Sequence, residues 1–364
     1  MRKFSVDDDI TNASTISAEI YKNEDLFNLA KQAIFYPSWQ YVADFEDIKV
    51  PGQVYPFTLF EGYMNEPLLM SRDFNDTVHA LSNVCTHRGN IVVEDAGNYK
   101  NLRCRYHGKK FGIDGCFAFM PEFDDASGFP SEFDNLPKVS FQQWKKFFFI
   151  SIGNGFGFDE LISEMDKRVG WLPIEEFVYD ANRSRDYLVN ANWALYCDNY
   201  LEGFHIPYVH PSLNEVLDYG SYTAEIYKYS NLQIGFAESG EEIFKLPKDS
   251  VDYGKNIGAY YYWLWPNMMF NFYPWGLSIN IVRPINLYRT KVSFKTYVWK
   301  PELLDKGAGA GLDRVEREDE NIVEQVQLGV NSVLYDRGRF SPKREKGVHH
   351  FHRLLASAYN NLRK

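Results

Sequence analysis

Two short stretches limit what this chain can be more than anything else in it. In NVCTHRGN, residues 83–90, Cys85 and His87 are separated by one residue; in LRCRYHGKKF, residues 102–111, Cys104 and His107 are separated by two. Sixteen residues lie between the pairs, and the 364-residue chain holds only four cysteines. Two thiolates and two imidazoles so spaced form a soft four-ligand set that suits zinc or an iron-sulfur cluster. Four cysteines are too few for a disulfide scaffold, which points to a reducing, cytoplasmic setting.

A chain of this length, 45% hydrophobic and 17% aromatic, can bury a substantial core in one large or two ordinary domains. The N-terminal MRKFSVDDDITNAST has no apolar segment, and the longest apolar runs, FFFISI and YYYWLWP, are too short to span a bilayer, so neither export nor membrane insertion is expected. With 39 basic against 49 acidic residues and no basic stripe, nucleic acid is excluded as a partner.

From about Tyr41 to Ile152, short Val-, Tyr-, Phe- and Ile-rich segments alternate with turn signals such as Pro51-Gly52 and Asp114-Gly115, which predicts a small β domain carrying both Cys/His pairs. Gly89 and Gly108 follow the pairs and allow tight loops. The glycines of GNGFGF, residues 153–158, lack a surrounding βαβ unit and read as a strand-to-helix loop at a domain boundary. Beyond it, Asn192 to about His205 reads as a helix stopped near Pro207, Tyr260 to Pro284 and RTKVSFKTYVW as strands, and about Asp313 to Tyr335 as a long helix. The fold class is α+β in two domains.

The order C-x-H, sixteen residues, C-x-x-H resembles the Rieske motif, in which two Cys hold one iron of a 2Fe-2S cluster and two His hold the other. Structural zinc remains the alternative. Respiratory Rieske proteins carry an extra cysteine in each loop, whereas this chain has Asn90 and no CxCH, so it looks like the oxygenase or ferredoxin type. The family often has tryptophan after the second HG; here that position is Lys109.

A Rieske cluster carries one electron and performs no substrate chemistry by itself, so the rest of the chain needs a second site. In DNYLEGFHIPYVH, His205 and His210 are five apart, about 140° around an ideal helix, but Pro207 between them would let His210 swing back. Two histidines and a carboxylate make the facial triad of non-haem Fe(II) oxygenases. DRVEREDENIVEQVQLGV offers Glu316, Glu318, Asp319 and Glu320; Asp319 shares a helical stripe with Ile322, Val323, Val326 and Val330 and should point inward, whereas Glu318 should not.

With CTHRG, CRYHG, NWALYCDNYLEGFHIPYVH and EDENIVEQVQLG in this order, the chain resembles the catalytic α subunit of Rieske non-haem iron oxygenases over nearly its whole length. The resemblance implies an N-terminal helical segment at 1–38, a Rieske domain at 39–152 and a catalytic domain at 153–364 with a large antiparallel sheet flanked by helices, helix-grip-like. It implies a Rieske cluster on Cys85, His87, Cys104 and His107, mononuclear Fe(II) on His205, His210 and Asp319, and O₂ as co-substrate. It makes Asn199 and Glu202 catalytic residues, Glu202 linking His107 of one subunit to His205 of the next, and so implies a homotrimer. No flavin or nicotinamide fingerprint is present, so NAD(P)H electrons are expected through a separate reductase or ferredoxin.

Glutamate at 202, where ring-hydroxylating members often have aspartate, and GRFSPKREKGVHHFH at 338–352 resemble the choline, glycine betaine and carnitine branch. The aromatic run from Tyr260 to Trp275 suits quaternary ammonium recognition through cation-π contacts, although most of those rings should be sheet core. An aromatic-acid hydroxylase or dioxygenase, an electron carrier and a zinc-stabilised binding protein are the competing readings. His349, His350 and His352 are read as surface or packing residues rather than metal ligands.

Overall fold

The structure, a computed structural model, describes residues 3–362. It forms two compact units: Pro37–Gly155, and the preceding chain together with everything from Phe156 onward.

The first unit is built from small antiparallel sheets. Gln53–Leu59, Glu66–Arg72 and Val78–Ser82 form a meander extended by Gly97–Asn98, and Phe147–Ser151 lies between Gln40–Asp44 and Ser140–Trp144. A central strand is covered on both faces, which is why FFFIS is apolar without alternation and fully buried. Leu102–Arg103, Lys110–Phe111 and Phe117–Phe119 form a third sheet, so Cys104 to Lys109 is a hairpin loop. The Cys85 loop is closed by an isolated bridge between Val84 and Ile91.

The second unit is organised on a seven-stranded antiparallel sheet in the order Val178–Val189, Arg289–Val298, Gly276–Asn286, Met268–Tyr273, Ile257–Leu264, Ser230–Phe236, Thr223–Ile226. Its register assigns the faces. Gln233 pairs with Tyr261, Tyr261 with Asn271, Asn271 with Ser278, and Asn280 with Phe294, so these residues project from one side. The alternate residues Tyr260, Tyr262, Phe270, Phe272 and Ile279 project from the other side and are fully buried. Phe158–Val169 packs behind the sheet, where the Tyr262 hydroxyl donates to the Glu164 carbonyl. Trp193–Tyr200, Leu312–Val330 and Lys346–Asn361 cover the Tyr261 face. Most of the aromatic run is therefore core, and Tyr261 and Tyr273 are the members that reach the covered face's cavity.

Three helix boundaries differ from the sequence reading. The helix from Asn192 is capped by that asparagine's side chain but ends at Tyr200, five residues before His205. Gly203 follows in a turn pressed against the Tyr222 ring, where an added Cβ would lie 2.6 Å from the ring edge. Pro207 does not break a helix; it sits in the first turn of a new one, Ile206–Val209, where its missing N–H costs nothing. The last long helix ends at Val330, not Tyr335, and its buried face runs through Glu316, Val323, Gln327 and Val330, leaving Val326 exposed. Gln327 is buried because its carbonyl accepts the Asn192 amide at 2.8 Å, tying this helix to the cap of the other.

The C-terminal histidines are packing residues and are buried. His352 accepts the Ile16 amide on Nδ1 at 3.1 Å and meets Asp198 through Nε2 at 2.9 Å; His349 Nε2 meets the Asp7 carbonyl and His350 Nδ1 the Asn231 side chain. Burial among apolar neighbours pushes His350 down to about 4, so it is neutral.

Candidate active site

The turn after Tyr200 and the helix Leu312–Val330 bring His205, His210 and Asp319 together. Each offers one ligand atom, and these atoms all lie within 4.8 Å of one another, the one such grouping of three or more among the described residues. Asp319 Oδ1 is 3.0 Å from His210 Nε2 and 3.5 Å from His205 Nε2.

Both rings are aimed by carboxylates. Glu202 Oε2 accepts the backbone N–H groups of Phe204 and His205, closing the turn, while its Oε1 lies 2.7 Å from His205 Nδ1. Glu318 Oε2 lies 2.8 Å from His210 Nδ1 and its other oxygen accepts from Arg314. A carboxylate at Nδ1 keeps the proton there and leaves the Nε2 lone pair free for a metal. Asn199 donates to Asp319 Oδ1 at 2.6 Å and so holds the third ligand. Burial opposes a charged His210, but the Asp319 and Glu318 carboxylates outweigh it and raise its pKa. Two imidazole nitrogens and a carboxylate oxygen converging from one side fit a ferrous ion that keeps open positions.

Glu318 corrects the expectation that it points away. Its Cα is off the inward stripe, but the side chain is long enough to bridge to His210, a contact invisible to helical periodicity. Replacing Glu318 with glutamine is expected to weaken iron retention about 10- to 100-fold while leaving the fold intact, measured by metal titration of the apo protein; unchanged affinity would remove the orienting role.

A cavity opens beside His205, His210 and Asp319, floored by Gln233, Tyr261, Asn271, Tyr273, Ser278 and Asn280 and roofed by the two helices. Three carboxylates, Glu202, Glu316 and Asp319, line it, and no Lys or Arg does among the described residues. Glu316 is 3% exposed. Its Oε2 accepts the Tyr196 hydroxyl at 2.6 Å, whereas Oε1 is buried without a partner. Desolvation first, and the Asp319 charge second, push its pKa well up. The sequence offered Glu316 as a candidate carboxylate without choosing it, and it lies one turn before Asp319 and therefore on the same helix face.

In the other unit, the two Cys/His loops have the same backbone. Cys85 N–H donates to the Asn90 carbonyl and Gly89 N–H to that of Cys85; Cys104 N–H donates to Lys109 and Gly108 N–H to Cys104. Gly89 and Gly108 take φ of 72° and 78°, where a side chain would be strained. Cys85 and Cys104 are rooted in an apolar cluster with Val54, Leu81, Leu102 and Phe111, while the His87 and His107 rings stand further out, 4.7 Å apart at 73°. Burial, first of all, raises the Cys85 thiol, and all four cysteines of the chain are free. The four ligand atoms do not gather around one point within 4.8 Å as a single zinc ion would require. Inner thiols and outer imidazoles instead fit a two-iron cluster held by Cys at one end and His at the other.

Paired Cys/His loops together with a separate two-histidine, one-carboxylate pocket define a Rieske-type non-haem iron oxygenase. Residues 38–130 match the Rieske 2Fe-2S domain and residues 170–361 the ring hydroxylating alpha subunit catalytic domain, and the chain belongs to that alpha subunit family. It is 29% identical to a chloroplastic choline monooxygenase of Arabidopsis thaliana, over 97% of this chain and 84% of that one. It is 27% identical to the carnitine monooxygenase oxygenase subunit of Escherichia coli K12, over 96% and 95%. In fold it is similar to CntA, a quaternary ammonium Rieske monooxygenase (TM-score 0.78, 24% identity, 97% and 99% covered). It also resembles naphthalene 1,2-dioxygenase in fold (TM-score 0.71, 17% identity, 95% and 92% covered). The enzyme thus carries a Rieske cluster and mononuclear iron and uses O₂. No helix among the described residues is long and apolar enough to cross a membrane.

Proposed function

We propose that this chain is the terminal oxygenase for a quaternary ammonium or N-methylated small molecule, drawing NAD(P)H electrons through a separate reductase or ferredoxin in the cytoplasm. The observation that carries the reading is the lining of the cavity: tyrosine faces and three carboxyl side chains, with no basic side chain among its described lining residues. A cationic head is attracted to such a wall, each aromatic face contributing roughly 0.5 to 2 kcal/mol. An aromatic carboxylate would be repelled by it. The relatives named for choline and carnitine oxidation support the same class. The lack of a side-chain cation ranks substrates with an uncharged far end, as in choline, ahead of zwitterions, and the amides of Gln233, Asn271 and Asn280 suit a hydroxyl there.

In this reading His205, His210 and Asp319 hold the iron, and Cys85, His87, Cys104 and His107 hold the cluster. Iron so held supplies O₂ binding and oxidation of a substrate C–H bond. The protein's own share is orientation. Glu202 and Glu318 keep the protons on Nδ1 of the two imidazoles, Asn199 fixes Asp319, and the tyrosines shield the reacting carbon from water. A substrate hydroxylated on the carbon beside nitrogen breaks its C–N bond, nitrogen keeping the pair, the hydroxyl proton passing to solvent and the carbon leaving as an aldehyde. Glu202 is proposed to connect His205 to His107 of the partner subunit in a homotrimeric ring, whose head-to-tail interfaces close.

The test is turnover with a compatible reductase, following aldehyde release from choline, glycine betaine and carnitine against cis-diol formation from aromatic acids; only the latter appearing would overturn the reading. Y261L is expected to raise the Kd of choline about tenfold while changing that of its uncharged analogue 3,3-dimethylbutan-1-ol by less than about twofold, read by calorimetry. Equal effects on both ligands would deny the Tyr261 ring a cation-binding role.

A further inference from the structure

Lys109 is the most deeply buried lysine among the described residues. It is 2% exposed, in the first unit, immediately after the His107 loop. A buried ammonium must be paired to stay charged, and this one is: Nζ donates to Thr86 Oγ1 and to Asp134 Oδ1, both at 2.9 Å. Its remaining surroundings are the faces of Phe111, Phe117 and Phe129, 5.5 to 5.7 Å away. Thr86 lies between Cys85 and His87, and its hydroxyl donates a hydrogen bond to the Asp134 carbonyl at 2.9 Å. The Lys109 carbonyl, in turn, accepts the amide of Cys104. One residue thus ties both ligand loops and the Glu132–Asp134 turn together.

The charges of the pair are not equally placed. Asp134 is 18% exposed and also accepts from the Ser131 N–H and hydroxyl, so its charge is shared with those donors and with solvent, whereas Lys109 is 2% exposed and enclosed by aromatic carbon. Lys109 Nζ bonds Thr86, the residue between Cys85 and His87, which places its charge beside the first ligand loop.

We propose that Lys109 is a positioning residue of the cluster site that locks the two ligand loops to each other and sets the cluster's reduction potential upward. On reduction the cluster gains one electron and one negative charge, which a poorly screened cation beside it stabilises. The inference concerns the Rieske site only, so it stands or falls independently of the substrate.

The test is an EPR-monitored redox titration of the full-length holoprotein, with dithionite as electron donor. K109M is expected to lower the midpoint and D134N, which leaves the ammonium less compensated, to raise it. K109R keeps the charge and should stay close to the wild type. Should K109M alone fail to assemble, K109M/D134N strands no carboxylate, and its midpoint should lie below that of D134N. A purely structural contact would not produce shifts of opposite sign. Equal midpoints for D134N and K109M/D134N, or a K109R midpoint that falls with the neutral variants, would overturn the proposal.

Discussion

Replacing Asp319 with asparagine should strip the mononuclear iron and leave the cluster in place. Asp319 Oδ1 is the atom toward which both Nε2 atoms converge, at 3.0 and 3.5 Å, and it is the only anionic member of the triad. An amide oxygen lacks the charge that neutralises a divalent ion, and two imidazoles alone hold ferrous iron poorly. The Cys/His loops belong to a different compact unit, so their absorption spectrum should be unchanged. Iron should fall from about three to about two per chain. Turnover should fall by more than the 10- to 100-fold that loss of a ligand's orienting partner typically costs. A D319N protein that keeps its full iron content would show that another group, Glu316 being nearest in helix register, supplies the carboxylate.

Glu202→Gln should produce the opposite pattern, with both metals retained and turnover lost. Glu202 uses one oxygen on the amides of Phe204 and His205 and the other on His205 Nδ1. Glutamine has one oxygen for these two tasks. If it stays at Nδ1, the exposed turn loses an acceptor that water can replace, and the imidazole still presents Nε2 to iron. What disappears is the charge that links His205 outward. Re-oxidation of the reduced cluster, followed by stopped-flow with substrate and O₂, should slow by more than about 100-fold, a loss of roughly 3 kcal/mol in transition-state stabilisation. Re-oxidation at the wild-type rate would remove Glu202 from the electron path.

Much of the chemistry was legible locally. Cys85, His87, Cys104 and His107 lie within a short window where spacing and ligand type leave few options, and the loop glycines take the positive φ their placement implied. The inward face of the 312–330 helix was correctly located for Asp319, although the stripe runs through Gln327 and not Val326. Other features had no local signal. The stop at Tyr200 depends on Tyr222 crowding Gly203 and on Glu202 closing the turn, and the reach of Glu318 to His210 joins residues 108 apart. Lys109 looked like a departure from the usual tryptophan; only the assembled unit supplies Thr86, Asp134 and three phenylalanine faces around it.

The spacing of the Cys/His pairs, loop curvature and helix phase were determined by the sequence alone, because sterics and periodicity act over a few residues. Which carboxylate meets which imidazole, which alternate side chains of four strands become a cavity floor, and where a buried cation finds its partner were decided only by the tertiary fold. These depend on sheet register and on helices docking across it, and such long-range contacts are set by burial of the whole surface rather than by any neighbouring residue.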